Sequence, residues 1–451
     1  MLAALLLPTL TFSMFHTMVA PALPAIAREF HTTPTAASWV MTAYLLSAAV
    51  CTPLVGKFGD LFGRGRVLIV ILCVFSIGSG ICAIASSVEM VIAGRVVQGV
   101  AGGIFPLAFG VVTEELPVGK RAMGMGLISA MFGIGGAIGL PLAGVIVDHG
   151  QLPWLFMVGS ISLAGAAAVW WVIPRSPARR GVTVDWAGAA LLSAGMTLLL
   201  LGISNANEWG WGSATVLGLI CAGLVTLAAF VACELRVRDP LVDIHKLAER
   251  AVVATNVASF FVGMGMFGSF ILIPQFAQGP AELGSGLGLS VTASGLVMVP
   301  SAVLMLVASP VAGVLGARFG FRAVLAVGSL FIAASFGVLV AAHGSAGEVV
   351  FAGALVGIGI SLAFTSMPNL LVQLVDPADI GIATGINTIM RAVAGAFVSA
   401  LIAALLAADV IPGTTLHTER AFTSAFALIG LSGLLAAVAA LMIPAHVHRA
   451  A

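Results

Sequence analysis

The basic residues of this chain sort to one side of a path that crosses an apolar layer fourteen times, and a soluble fold imposes no such sorting. Fourteen apolar stretches run from Met1 to about Pro444, joined by short polar connections. Of the nineteen Lys and Arg residues, one side collects Lys57, Arg64, Arg66, Lys120, Arg121, Arg175, Arg179, Arg180, Arg236, Arg238, Lys246, Arg250, Arg318, Arg322 and Arg449. The opposite side holds Arg28 and Arg420, and Arg95 and Arg391 fall inside apolar runs. Positive charge marks cytoplasmic loops, so both termini are expected in the cytoplasm.

Composition points the same way. The chain is 60% hydrophobic and 8% charged, where a soluble domain carries roughly 25% charged residues. Its mean hydropathy is +1.15. The net charge of +1 comes with no basic patch, so nucleic acid is not an expected partner. Cys51, Cys73, Cys82, Cys221 and Cys233 all lie in apolar runs; they read as small buried side chains rather than disulfides or metal ligands. The first apolar run extends from Leu2 to about Ala27, beyond the roughly 7–15 residues of a signal core, and reads as a true span. The chain starts inside that helix, so a short cytoplasmic leader is expected before it.

The expected spans are 2–27, 37–58, 66–87, 90–114, 121–147, 153–173, 186–205, 213–234, 251–277, 290–316, 322–342, 348–374, 380–408 and 421–444. All seven tryptophans fall at or near span ends, as an interfacial aromatic belt does. After span 2 the chain reads Gly56-Lys-Phe-Gly59-Asp60-Leu-Phe62-Gly63-Arg64, and 257 residues on it reads Gly313-Val-Leu-Gly316-Ala-Arg318-Phe319-Gly320. The repeat relates two parallel blocks of six spans, residues 1–174 and 251–451, with two inserted spans in 175–250. Parallel repeats with a midplane site between them describe one class of secondary transporters.

The segment from Gly56 to Arg66 resembles the signature of the major facilitator superfamily, with Gly56, Asp60, Gly63, Arg64 and Arg66 as the matching residues. It is expected as a cytoplasmic loop whose Asp60, clustered with Arg64 and Arg121, latches the two blocks together. Gly94-Arg95-Val-Val-Gln98-Gly99 in span 4 is similar to the family's R-x-x-Q-G segment. Gly135, Gly139, Pro141 and Gly144 in span 5 look like its antiporter segment, which belongs to exporters. With fourteen spans, the chain resembles the drug:proton antiporter branch over essentially its whole length. The resemblance implies an all-α membrane fold of two six-helix bundles and an inserted pair. It also implies a monomer in the bacterial inner (plasma) membrane, with protons and membrane lipids as partners.

One departure touches the chemistry. The branch opens with a span 1 segment L-D-x-T-x-V-N-V-A-L-P; aligned on Ala22-Leu23-Pro24, Phe15 stands at the acidic position. Ionisable groups inside a bilayer are functional candidates by default, and those remaining are His16, Arg95, Arg391, and Glu114 with Glu115 at the end of span 4. His16, Arg95, Glu114 and Glu115 are the candidates for proton coupling, and a histidine titrates near neutral pH. Arg391 lies about 18 Å into span 13 at 1.5 Å per residue. Substrate-cavity candidates are Thr17, Gln98, Met264, Phe267, Gln275, Asn387 and Arg391.

The chain has no G-x-x-x-x-G-K-[ST] loop and no metal-ligand spacing, so neither ATP hydrolysis, a metal, a cofactor nor enzyme chemistry is expected. The expected activity is export of hydrophobic or amphiphilic small molecules by alternating access, in exchange for protons. Without a cavity carboxylate, neutral, zwitterionic or anionic amphiphiles are expected before cations. The alternative is a lipid or natural-product exporter, or a facilitator, not coupled through a carboxylate in span 1.

Overall fold

A computed structural model describes residues 1–148, 152–174, 185–237, 240–281, 285–376, 379–411 and 416–444. Arg175, Arg179, Arg180, Arg238 and Arg449 of the basic side lie outside them. Backbone polar groups in hydrocarbon must be satisfied within the segment, and each expected span is accordingly a helix. These are α1 (Leu2–Glu29), α2 (Pro34–Phe62), α3 (Arg64–Ala83), α4 (Val88–Glu115), α5 (Val118–Asp148), α6 (Leu152–Val172) and α7 (Trp186–Ser204). They continue as α8 (Ala214–Glu234), α9 (Arg250–Gln278), α10 (Ala293–Phe319), α11 (Phe321–Ala341), α12 (Ala346–Leu374), α13 (Ile380–Ala408) and α14 (Glu419–Met442). Seen this way, the chain is an integral membrane protein.

Of the seven helices entered from the charge-poor side, all but α6 share one start signal. Thr33, Ser87, Ser213, Ser290, Ser345 and Thr418 each accept a backbone N–H of the first turn through the side-chain oxygen, satisfying a donor the helix leaves free. The expected loop at Gly56–Arg66 is not a loop. Helix α2 continues through Asp60 to Phe62, and Gly63 alone, at φ 96°, turns the chain into α3 at Arg64. Gly320, at φ 87°, makes the equivalent one-residue turn between α10 and α11. Both values lie in the left-handed region open to glycine.

Two main crossings join the first six helices to the last six, and α4 also touches α13. Helix α2 packs on α13, and α5 packs on α10 and α12. Glycine makes both crossings close, as membrane helix contacts require. A Cβ on Gly56 would stand 2.6 Å from the carbonyl oxygen of Gly381, and one on Gly313 would stand 2.5 Å from that of Ala122. So the two glycines that the repeat pairs perform the same task, each seating the end of its helix on the start of a helix across the interface. Helix α7 packs on α8 and reaches both sides: Ala189, Leu192 and Met196 share a cluster with Ala49 of α2 and with Ile382 and Ile389 of α13. Cysteine burial is uneven; Cys82 is buried, whereas Cys221 is exposed on α8.

Candidate substrate and coupling site

Asp60 sits in the last turn of α2, its side chain 4% exposed. Its Oδ1 receives Arg64 through Nη2 at 2.7 Å and Nε at 3.0 Å. Its Oδ2 accepts the backbone N–H of Ile382, at the start of α13, at 3.3 Å. Arg64 also donates to the Gly110 carbonyl at 3.0 Å and pairs with Glu114 at 3.2 Å. This carboxylate therefore spans the interface, holding a guanidinium on its own side and the amino end of a helix on the other, where negative charge is favoured. Arg121 is not in the cluster; it donates to the Leu116 carbonyl. Arg66 is exposed, and Glu115 is half-buried.

Inside the first bundle Arg95 is fully buried. It donates to the Val40 carbonyl at 3.0 Å and to Gln98 Oε1 at 2.9 Å, while Gln98 donates onward to Ser79 at 2.8 Å. Its guanidinium lies 4.0 Å from the Tyr44 ring centre and 5.2 Å from that of Phe15. Phe15, aligned with the acidic position of the branch the sequence resembles, thus turns an aromatic ring to Arg95. His16 stands at the interface among the rings of Phe12, Tyr44, Phe132 and Phe267, and its Nδ1 is buried with no hydrogen-bond partner.

A second polar cluster surrounds Arg391 in α13. It donates to Asn387 Oδ1 at 2.5 Å, Ser259 Oγ at 3.2 Å and Thr388 Oγ1 at 3.1 Å, and lies 4.5 Å from the Phe364 ring centre. Asn387 donates to Asn256 at 3.0 Å. An aromatic layer separates the two guanidiniums: Tyr44, His16, Phe132 and Phe364 follow one another at 5.7, 6.2 and 5.4 Å between centres. Among the described residues no group of three His, Cys, Asp or Glu could hold a metal ion.

The sequence-derived candidates divide. His16, Phe267, Asn387 and Arg391 belong to this central region. Gln98 is buried against α3, Thr17 bonds back to the Met14 carbonyl at 3.0 Å, Met264 is buried, and Gln275 is exposed near the end of α9. Of the span 5 glycines, Gly135 and Gly139 abut Ser13 and Met14 of α1, Pro141 faces Gly295 of α10, and a Cβ on Gly144 would meet nothing within 4 Å. Sequence reasoning passed over Tyr44, Phe132 and Phe364. Tyr44 carried a signal, being the chain's single tyrosine and set within an apolar span. Phe132 and Phe364 carried none, since phenylalanine is ordinary in a membrane helix.

Outside the membrane, Lys246 after α8 bonds Asp376 at 2.6 Å and Asp379 at 3.0 Å, tying the inserted pair to the turn before α13. Those two hydrogen bonds raise its ammonium above the usual lysine value.

Residues 5–233 and 255–451 match the profile of the Major Facilitator Superfamily. The multidrug transporter protein MdtP of Bacillus subtilis is 28% identical over 365 residues, covering 79% of this chain and 66% of that protein. The tetracenomycin C resistance and export protein of Streptomyces glaucescens is 28% identical over 384 residues, covering 84% and 70%. Across the curated relatives it matches, the chain spans as little as 57% of their length. The crystal structure of the human organic anion transporter MFSD10 overlays 97% of each chain with a TM-score of 0.65 at 15% identity, a likeness of fold. With the profile matched along nearly its whole length, the chain belongs to the major facilitator superfamily.

Proposed function

We propose that this protein exports hydrophobic or amphiphilic small molecules by alternating access, in exchange for protons. The observation that carries the reading is Asp60: a buried carboxylate whose two oxygens hold Arg64 on one side of the interface and the Ile382 N–H on the other. A latch of this kind, beside glycine-seated crossings at the same face, suits two bundles that close at one end while the other end opens. In this reading residues 1–174 and 251–451 are the moving bundles and 175–250 the inserted pair. The basic face is cytoplasmic with both termini, and the protein works as a monomer in a bacterial plasma membrane. Similarity to a multidrug transporter and to a tetracenomycin C resistance and export protein supports the direction of transport and the substrate range.

Proton exchange needs a group that is loaded in one state and emptied in the other. Glu114 is engaged with Arg64 at the latch, Glu115 lies beside it, and His16 stands between the bundles; Arg95, through Tyr44, is positioned to bias His16 electrostatically. The test is uptake of a fluorescent amphiphile into everted vesicles with and without an imposed proton gradient. Uptake that follows the gradient supports antiport. Uptake indifferent to it replaces antiport with facilitated transport, and no uptake of any amphiphile tried removes the export reading.

A further inference from the structure

Among the described residues, the centre of the molecule holds two buried cations and no buried anion. Arg95 is 0% and Arg391 5% exposed. Every described Asp and Glu lies in the terminal turn of a span or outside the spans. Arg391 is met by an amide, two hydroxyls and the thioether of Met367. That leaves its Nε proton and one Nη2 proton without an acceptor among the described residues. A guanidinium in a low-dielectric interior is costly without a counter-charge, and neutral acceptors offset part of that cost.

The aromatic layer beside it is built from both bundles. His16, Phe105 and Phe132 come from the first; Phe267 and Phe364 come from the second. Phe132 stacks on Phe364 at 5.4 Å, Phe105 meets Phe364 at 5.8 Å, and His16 meets Phe267 at 6.2 Å. Each of these contacts crosses the interface, so rocking the bundles apart turns the layer into a slot walled by flat rings. Arg391 packs on the Phe364 ring of one wall, and His16, whose Nδ1 has no hydrogen-bond partner, lies beside the Phe132 ring of the other.

We propose that this slot selects planar aromatic molecules bearing an anionic group such as a carboxylate or phenolate. The ring system inserts between Phe132 and Phe364, and the anion takes the free N–H groups of Arg391. His16 supplies a hydrogen bond through Nδ1. The proposal rests on the export reading and narrows its substrates to one charge class.

Two xanthene dyes of similar ring system and opposite charge test it: fluorescein, an anion, and a rhodamine ester, a cation. With purified protein in lipid nanodiscs, fluorescein binds at least about tenfold more tightly than the rhodamine ester, and Arg391→Gln removes that preference. Arg391→Lys retains part of it, and Phe132→Leu weakens both dyes while leaving their ratio unchanged. Equal or tighter binding of the rhodamine ester by the wild type overturns the proposal, as does a dye ratio unmoved in a folded Arg391→Gln variant. If Arg391→Gln does not fold, the wild-type ratio and Arg391→Lys decide. Proteoliposome transport separates the two levels. Carriage of the rhodamine ester without fluorescein leaves export standing and removes the charge selection, whereas binding and carriage of neither dye remove both.

Discussion

Phe15 and Arg95 show how one side chain can redirect the chemistry around it. The ring fills the position that carries an acid in the resembling branch, and Arg95 turns to aromatic faces and neutral oxygens instead. Phe15→Asp restores a carboxylate within reach of the guanidinium, so we expect it to give the protein a new protonatable site. Gradient-driven uptake in everted vesicles should then change its pH response; a response identical to wild type argues that Arg95 is beyond the new group's reach. At Asp60 we expect Asn to cut turnover by about tenfold or more, because a charge-assisted contact contributes roughly 1.5–3 kcal/mol. Substrate affinity, read by dye titration in detergent, should stay within about twofold, since Asp60 lies away from the central rings and a twofold change is only ~0.4 kcal/mol. A large loss of affinity with normal turnover would place Asp60 in the substrate path instead. His16→Gln keeps a polar group yet removes the titratable ring, and we expect it to flatten the dependence of uptake on the gradient. Unchanged dependence moves the proton to the Glu114 and Glu115 end of α4.

Among the helices, α5 does the most varied packing. Gly135 and Gly139 seat it on α1, while Gly126 and Gly133 seat it on α10, where a Cβ on Gly126 would stand 2.5 Å from the Ser309 carbonyl. The span 5 glycine run is thus two seams on one helix, one inside the first bundle and one between bundles. Gly126→Leu should hold the basic face open, because the larger side chain cannot enter a backbone contact without separating α5 from α10. Faster hydrogen exchange at the start of α13 would be the sign of it. Exchange at the wild-type rate, with the variant folded, would show that the crossing is not a closing surface. A Leu at Gly144, where the surroundings are open, should do nothing comparable.

The molecule as a whole closes at its basic end through two crossings that use repeated glycines in the same way. If the bundles rock about this interface, tying one crossing shut must stop the cycle. A pair Ala122→Cys and Gly313→Cys, in a background with the native cysteines replaced by serine, should lose transport on oxidation and recover it on reduction. Continued transport by the oxidised pair would mean that α5 and α10 need not part. The inserted helices have a larger part than a peripheral pair would, since α7 touches both α2 and α13 and Lys246 bridges from the linker to Asp376 and Asp379. The raised lysine value keeps that bridge charged throughout the neutral range; its contribution is present below the ordinary lysine value and fades only as pH rises through the higher one.

Span number and order were legible in the sequence because a bilayer enforces them locally: a helix must be apolar for its full crossing and capped or turned at its ends. Each span is satisfied by its own residues, so composition along the chain suffices. The glycines at 56 and 313 were legible for a related reason, as close helix contacts demand small residues wherever they occur. What the sequence concealed is everything that depends on the partner across a helix face. The helical setting of Asp60 turns on one glycine reaching positive φ, and its second contact is a backbone N–H more than three hundred residues away. The aromatic layer is built from phenylalanines indistinguishable in sequence from lipid-facing ones, and only their convergence from both bundles separates them. In a chain where nearly every helix is apolar all round, hydrophobicity decides that a residue lies in the membrane, and tertiary packing alone decides what it meets there.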